Sequence, residues 1–446
     1  MAKILIKNAT IINEGRKLKG NIILNGEIIE KIYEGPSSGS INIAAVIDAG
    51  DKIVIPGVID DHVHFREPGF THKADIASES KAAVAGGVTS YMDMPNTSPQ
   101  TITQDLLKEK FSIAEKCSLA NYSFYIGATD SNLKELLNTN PREVCGIKIF
   151  LGSSTGGMLV SNNTLRDIFS ESAMMIAAHC EDEEIIKNNL RKYRSEYKEN
   201  IDIKFHPLIR SAEACYKASS QAVELALKYD ARLHVLHVST EKELELFSSN
   251  IPAADKRITS EVCIHHLLFD GNDYEKSGTR LKCNPAIKTV RDKEALFKAL
   301  SDGKADLIGT DHAPHTLSEK SSSYLKAPSG MPMIQHSLAV MLEFYHKGMI
   351  TIENIVNKMC HAPADIFRID RRGYIREGYY ADLVLIDLNH EWKVTPENIL
   401  YKCKWSPLEN ITFHSAVSHT FVNGRLVYSE GKITDTAFGK RLVFNR

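Results

Sequence analysis

The feature that most restricts the fold of this chain is an alternation running from about residue 53 to residue 370. A short apolar run is followed by a stretch with helical periodicity, and the pair then repeats. Eight runs have strand character: Val54–His64, Val88–Met94, Tyr122–Ile126, Gly146–Phe150, Met174–His179, Arg232–His237, Ile258–Val262 and Leu307–Thr310. Helical patterns lie between them, such as Ala74–Ala85, Leu106–Lys116, Ser211–Tyr229 and Val290–Leu300. Roughly eight strand-then-helix units in about 300 residues predict an α/β fold, a (β/α)8 barrel. An open doubly wound sheet is the competing arrangement of the same pattern.

The two ends have a different texture. Ile4–Ile12, Asn21–Ile32 and Ala44–Ile47 read as strands, with a hairpin turn at Asn25-Gly26. Beyond 373, Ala381–Asp387, Ala416–Val422 and Arg425–Tyr428 do the same, with Asn423-Gly424 as a turn. Residues 1–52 and 373–446 are therefore expected to pair into one small β domain beside a barrel of residues 53–372. Pro314–Pro332, rich in Ser and Pro, is the most loop-like span, and a loop of that length is usually functional or mobile.

Barrel active sites gather at the carboxyl ends of the strands, so polar residues there are the informative ones. In Asp60-Asp61-His62-Val63-His64-Phe65-Arg66, side chains two apart share a face of a strand. His62 and His64 can then grip one divalent metal ion, and Arg66 joins them if the strand continues. A permanent cation beside a metal suits an anionic substrate. Lys148 is a lone ammonium inside the apolar run Gly146–Phe150, so it must be neutralised, paired or chemically altered. Carbamylation would turn it into a carboxylate able to bridge two ions. His179 and His237 end further strands. His234 and His237 have opposite parity, so one of them is expected inside, and the terminal one is better placed. Asp311 follows the last strand.

This set describes two divalent ions, zinc by default, joined by N6-carboxylated Lys148 and a hydroxide. Asp311 would ligate one ion and act as general acid and base in hydrolysis of an amide. His312 and His72 are expected beside the site or at the surface, and His206, His265, His266 and His361 in core or surface roles.

Composition narrows the partners. A net charge of −2 over 446 residues gives no electrostatic case for nucleic acid or an anionic membrane. The start, Met1-Ala2-Lys3-Ile4-Leu5-Ile6-Lys7, lacks a signal-peptide pattern, and no run reaches the roughly 20 apolar residues of a spanning helix. Eight scattered cysteines without Cys-x-x-Cys spacing point to a reducing compartment and to nitrogen and oxygen metal ligands. A cytoplasmic enzyme with a small-molecule substrate is expected, with a homo-oligomer as the ordinary state of soluble enzymes.

The residues resemble the amidohydrolase superfamily and, within it, the dihydroorotases with a lysine bridge. The resemblance rests on Asp60–Gly69, Met94-Pro95-Asn96-Thr97, Gly146–Phe150, Lys282-Cys283-Asn284-Pro285 and Gly309–His315, and spans nearly the whole chain. It implies reversible closure of N-carbamoyl-L-aspartate to L-dihydroorotate in pyrimidine synthesis. It also implies that Arg66 and Asn96 hold the substrate carboxylate, that Asn284 and His315 touch substrate, and that Pro314–Pro332 covers the pocket. The run Ala327–Pro332 departs from the Phe-Gly or Pro-Gly-rich run of family members. The chemistry of the side chains agrees: Arg66 offers a planar fork for a carboxylate, and the amides of Asn96 and Asn284 complement a ureide ring. Dihydropyrimidinase, hydantoinase or allantoinase activity is the nearest alternative, and Arg66 argues against it because those rings lack the carboxylate. A barrel kept as a non-catalytic scaffold, or as a partner of an aspartate carbamoyltransferase, is the other.

Overall fold

The computed structural model describes residues 3–35, 43–152, 158–434, 436 and 438–446. Nineteen strands form among them. Five come first: β1 (Lys3–Asn13), β2 (Arg16–Asn25), β3 (Ile28–Tyr33), β4 (Ile43–Asp48) and β5 (Ile53–Pro56). Eight more follow: β6 (Val58–Val63), β7 (Val88–Asp93), β8 (Asn121–Gly127), β9 (Gly146–Phe150), β10 (Ile176–His179), β11 (Leu233–Val235), β12 (Ile258–Cys263) and β13 (Leu307–Gly309). The last six are β14 (Leu383–Asp387), β15 (Trp392–Lys393), β16 (Thr412–Phe413), β17 (Ala416–Val422), β18 (Arg425–Ser429) and β19 (Lys432–Ile433).

Strands β6 to β13 lie side by side in sequence order, every neighbour parallel. Just past the ends of β13 and β6 the two edges meet: His312 bridges Val63 in parallel, and the His64 N–H donates to the His312 carbonyl at 2.7 Å. The sheet is thus a nearly closed (β/α)8 barrel, and the open doubly wound alternative is excluded. Helices return the chain between strands, and their starts follow from capping oxygens. Asp75, Thr103, Ser161, Asp182, Ser211 and Thr289 each accept a hydrogen bond from a first-turn N–H that has no intrahelical partner. Each such cap stabilises its helix by about 1 kcal/mol.

A second sheet draws on both ends of the chain, in the order β19-β18-β17-β14-β5-β1-β2-β3, with β4 paired to β1. β15 and β16 form a separate two-stranded ribbon. Here the structure departs from the single strand expected over Val54–His64. The run splits: β5 pairs with β1 and β14 in the second sheet, and β6 belongs to the barrel. Gly57 is the crossing point, because a Cβ there would sit 2.0 Å from Thr89 Oγ1 on the neighbouring barrel strand. No helix among the described residues is long and apolar enough to cross a membrane.

Candidate active site

The carboxyl mouth of the barrel gathers the candidate side chains from five strands. His62 lies in β6 and His64 just beyond it. His62 Nδ1 donates to Glu261 Oε1 at 3.1 Å, and His64 Nδ1 donates to Asn96 Oδ1 at 2.8 Å. Each ring therefore turns Nε2 inward, where both meet Asp311 Oδ1, at 3.3 and 3.1 Å. Asp311 leaves the end of β13 with φ of 44°, a left-handed conformation that aims its carboxylate back across the barrel. Donor atoms of the three residues lie within 4.8 Å of one another.

A second group faces the first. His179 Nε2 donates to Glu181 Oε2 at 3.1 Å, and Arg210 grips the same carboxylate. That leaves His179 Nδ1 pointing at His237 Nε2, 2.8 Å away. The ring centroids of His62 and His237 are 5.3 Å apart, which joins the two groups. Lys148, in the middle of β9, reaches between them. Its Nζ lies 4.5 Å from the centre of the Phe150 ring and forms no ion pair among the described residues. Burial lowers its pKa to about 7, against the pull of Asp311 and Glu261.

Electrostatics separates the roles these groups can play. Burial drives His64 down to about 4 and His237 well below the usual histidine range, so both are neutral and carry a lone pair. For His62 burial works the same way, but Glu261 and Asp311 outweigh it and raise the pKa. Burial pushes the Asp311 carboxyl up; the imidazoles of His62 and His64 overcome that and hold it below the usual carboxylate range. Four inward-facing imidazoles, an ionised carboxylate and an unpaired buried amine form a donor set that fits divalent metal ions. Each orienting partner, Glu261, Asn96 or Glu181, fixes a ring by its other nitrogen.

The rim differs from the expectation in one respect. β6 ends at Val63, so Arg66 is not on the strand; its φ is 67°, and the turn brings the side chain back over the mouth. Arg66 Nε donates to the Pro314 carbonyl at 3.0 Å, and Nη2 lies 3.0 Å from His315 Nε2. Ser329 Oγ donates to Asn284 Oδ1 at 3.0 Å. One pocket is lined by nine of the ten candidates, His315 standing behind Arg66 and Gly330. Ser329 and Gly330 complete the lining, which puts Pro314–Pro332 against the mouth. Gly330 adopts φ of 128°, and a Cβ there would strike the Ala313 carbonyl at 2.6 Å. The loop is also less irregular than its composition suggests, since Thr316 and Glu319 cap a short helix over Leu317–Lys320.

Some residues escaped the sequence reading. Glu261, buried in β12, accepts from His62 Nδ1 and from the His237 N–H. It was detectable by a logic close to that applied to Lys148: it is the one charge in its strand, although Thr259 and Ser260 make that strand less apolar. Both His234 and His237 are buried inside the barrel, contrary to the parity rule. β11 ends at Val235 and His237 has φ of 38°, so the alternation stops between them. His234 Nε2 sits 3.1 Å from Asp61 Oδ2 in a layer beneath the mouth. In the same layer burial lifts Asp60 to about 8, while Thr310 Oγ1 donates to its Oδ2 at 2.6 Å. His312 is buried against Glu79 at 2.8 Å, and His72 is exposed near Glu319. His265 and His266 are buried in the helix after β12, and His361 stacks on Tyr374.

Comparison with known proteins agrees with this picture. A model of the amidohydrolase family matches residues 53–427. The dihydroorotase of Halobacterium salinarum is 32% identical over 438 residues, covering 96% of this chain and 99% of the relative. That of Pyrococcus abyssi is 32% identical over 96% of this chain and 98% of its own length. Among solved structures, L-hydantoinase (dihydropyrimidinase) from Arthrobacter aurescens superposes with a TM-score of 0.94 at 26% identity, over 99% of this chain and 100% of that one. Dihydropyrimidinase from Brevibacillus agri shares the fold, with a TM-score of 0.89 at 23% identity and 100% coverage of both chains. A family model that spans most of the chain, and relatives above 30% identity along nearly all of it, place this protein in the amidohydrolase family.

Proposed function

We propose that the protein is a dihydroorotase, closing N-carbamoyl-L-aspartate to L-dihydroorotate and reopening it. Two divalent ions, zinc by the chemistry of the donors, would be held by His62, His64 and Asp311 on one side and by His179 and His237 on the other. Lys148, carboxylated on Nζ, would serve both; an amine with a pKa near 7 is available as the free base whose lone pair attacks CO₂, losing a proton as the carbamate forms. When bound, the ions polarise the scissile carbonyl and acidify the attacking water.

The chain's own groups do the rest. In ring opening, Asp311 takes a proton from the water and passes it to the ring nitrogen as the C–N bond breaks. In ring closure it takes that proton back from the ureido nitrogen and returns it to the departing hydroxide, so the step balances in both directions. Arg66 and Asn96 receive the substrate carboxylate, Asn284 faces the ring, and His315 backs Arg66.

One observation carries the choice of substrate: Arg66 is buried at 4% exposure with no carboxylate partner among the described residues. Burial lowers even this guanidinium to about 10. Asp311, Asp93 and Glu319 act on it only from beyond ion-pair distance, and an anionic substrate supplies a counter-charge in direct contact. Rings without a carboxylate leave it unpaired. The dihydroorotase relatives support the same reading. The likeness to L-hydantoinase favours a second one, an amidase of neutral cyclic ureides. Purified protein, with and without chelator, assayed on dihydroorotate, dihydrouracil and allantoin separates them. Chelator-sensitive turnover of dihydroorotate alone is expected; turnover of dihydrouracil but not dihydroorotate gives the second reading instead. Full metal content with no turnover of any of the three would point to a scaffold.

A further inference from the structure

His315 is set by a residue outside the pocket. Lys73, in the turn between β6 and the helix Ile76–Ala85, places Nζ 3.0 Å from His315 Nδ1 and 3.0 Å from Glu319 Oε1. An ammonium has only protons to offer, so Nδ1 must accept and the imidazole proton must sit on Nε2. That N–H donates to the Ser329 carbonyl at 3.0 Å. Arg66 Nη2, also a donor, lies 3.0 Å from the same Nε2. With that proton spent on Ser329, Nε2 has no lone pair for Arg66, and the Nη2 donor is satisfied when an anionic oxygen arrives beside it.

The opposite tautomer would erase this. With the proton on Nδ1, Nε2 would accept from Arg66 and the guanidinium would be satisfied inside the protein. The carboxylate would then compete with Nε2 for that Arg66 donor. Two neighbours keep Lys73 in place. Glu319 is fixed by its cap on the Leu317–Lys320 helix, where Oε2 accepts from the Thr316 N–H at 2.9 Å and from Thr316 Oγ1 at 2.9 Å. His315 is pinned through its backbone, whose carbonyl accepts from Trp405 Nε1 at 2.7 Å.

We propose that Lys73 is a positioning residue for the anion subsite: by holding His315 in the Nε2–H tautomer, with that proton on the Ser329 carbonyl, it denies Arg66 Nη2 an internal acceptor and leaves the guanidinium for the substrate carboxylate. This rests on the dihydroorotase reading for the identity of the anion, and on the hydrogen-bond geometry alone for the tautomer.

The test uses the full-length, metal-loaded enzyme and its Lys73→Met and Lys73→Arg variants. Nitrogen-15 spectra of the His315 ring are expected to show the Nε2–H form in the native enzyme and a mixture of forms in Lys73→Met. With dihydroorotate, Lys73→Met should raise KM roughly tenfold, with kcat within about twofold, which corresponds to about 1.4 kcal/mol of lost ground-state and transition-state binding. Lys73→Arg keeps a cationic donor and should recover most of the loss. Pure Nε2–H in Lys73→Met, or a KM equal to that of the native enzyme, overturns the proposal. So does a loss in Lys73→Met shared equally by kcat and KM alongside a lowered melting temperature, which marks a merely structural role. If native enzyme does not turn over dihydroorotate, the substrate reading fails while the spectra still decide the tautomer.

Discussion

The floor and the rim of the pocket are built by different means. On the floor, Lys148 and His179 stand on strands paired on both sides, His62 on a strand paired with β7 and closed against His312, and buried carboxylates orient the rings of His62 and His179. At the rim, Arg66, Asn284 and His315 come from turns and loops, held by backbone carbonyls and a capped short helix. On the proposed function the floor would serve metal ions and a reacting carbonyl, and the rim a charged substrate. The difference teaches where each property can change: a floor substitution should remove the chemistry for every substrate, and a rim substitution should change only which substrate is handled.

The harshest way to break the floor is Lys148→Ala. It should drop activity to that of the chelated enzyme and lower bound metal, and short carboxylic acids should restore part of both. In the native protein an adduct of about 44 Da on Lys148 is expected by native mass spectrometry, and an active, fully metallated protein without it would contradict the carboxylated bridge. Asp311→Asn comes next. Losing the proton carrier should lower kcat by between about 10² and 10⁴-fold for any ring that is turned over, with the fold intact by circular dichroism.

The rim should respond selectively. Arg66→Met should lower kcat/KM for dihydroorotate about 10- to 100-fold, the range expected for lost hydrogen bonds to a charged group. Any residual rate with dihydrouracil should be unchanged; an equal loss on both rings would place Arg66 in the floor's chemistry. The smallest effect concerns pH. His206 ties the rim together, its Nε2 donating to the Cys283 carbonyl at 2.7 Å and its Nδ1 accepting from the Tyr324 hydroxyl at 3.0 Å. Burial, followed by the charge of Arg210, depresses it to about 3. An exposed histidine titrates near 6.5, so the opened state binds the proton first as pH falls. Stability from this contact is fully present above about 6.5 and declines between about 6.5 and 3. Hydrogen exchange in residues 314–332 should therefore accelerate as pH drops below about 6.5, after correction for intrinsic rates, and His206→Asn should flatten that slope.

The legible part of this protein is the part governed by local periodicity. Each of the eight apolar runs contributed a barrel strand, and histidines at strand ends with a lysine inside one announced the mouth, because alternation along a strand assigns a face before any partner is known. Where that alternation fails, the reading fails too. His237 and Arg66 reach their places through left-handed backbone, and no sequence period encodes a turn of that kind. The run Val54–His64 divides between two sheets at Gly57, where close packing against Thr89, more than thirty residues away, leaves no room for a side chain.

Residue type and spacing alone determined that a metal-ready set existed, and that an arginine stood near it. Tertiary structure decided how the set is wired: Glu261 behind His62, Asn96 behind His64, Glu181 behind His179 and Lys73 behind His315. Those pairs join residues as many as 242 positions apart. A hydrogen bond depends on the last ångström of approach between two side chains, and that distance is set by the packing of the whole barrel.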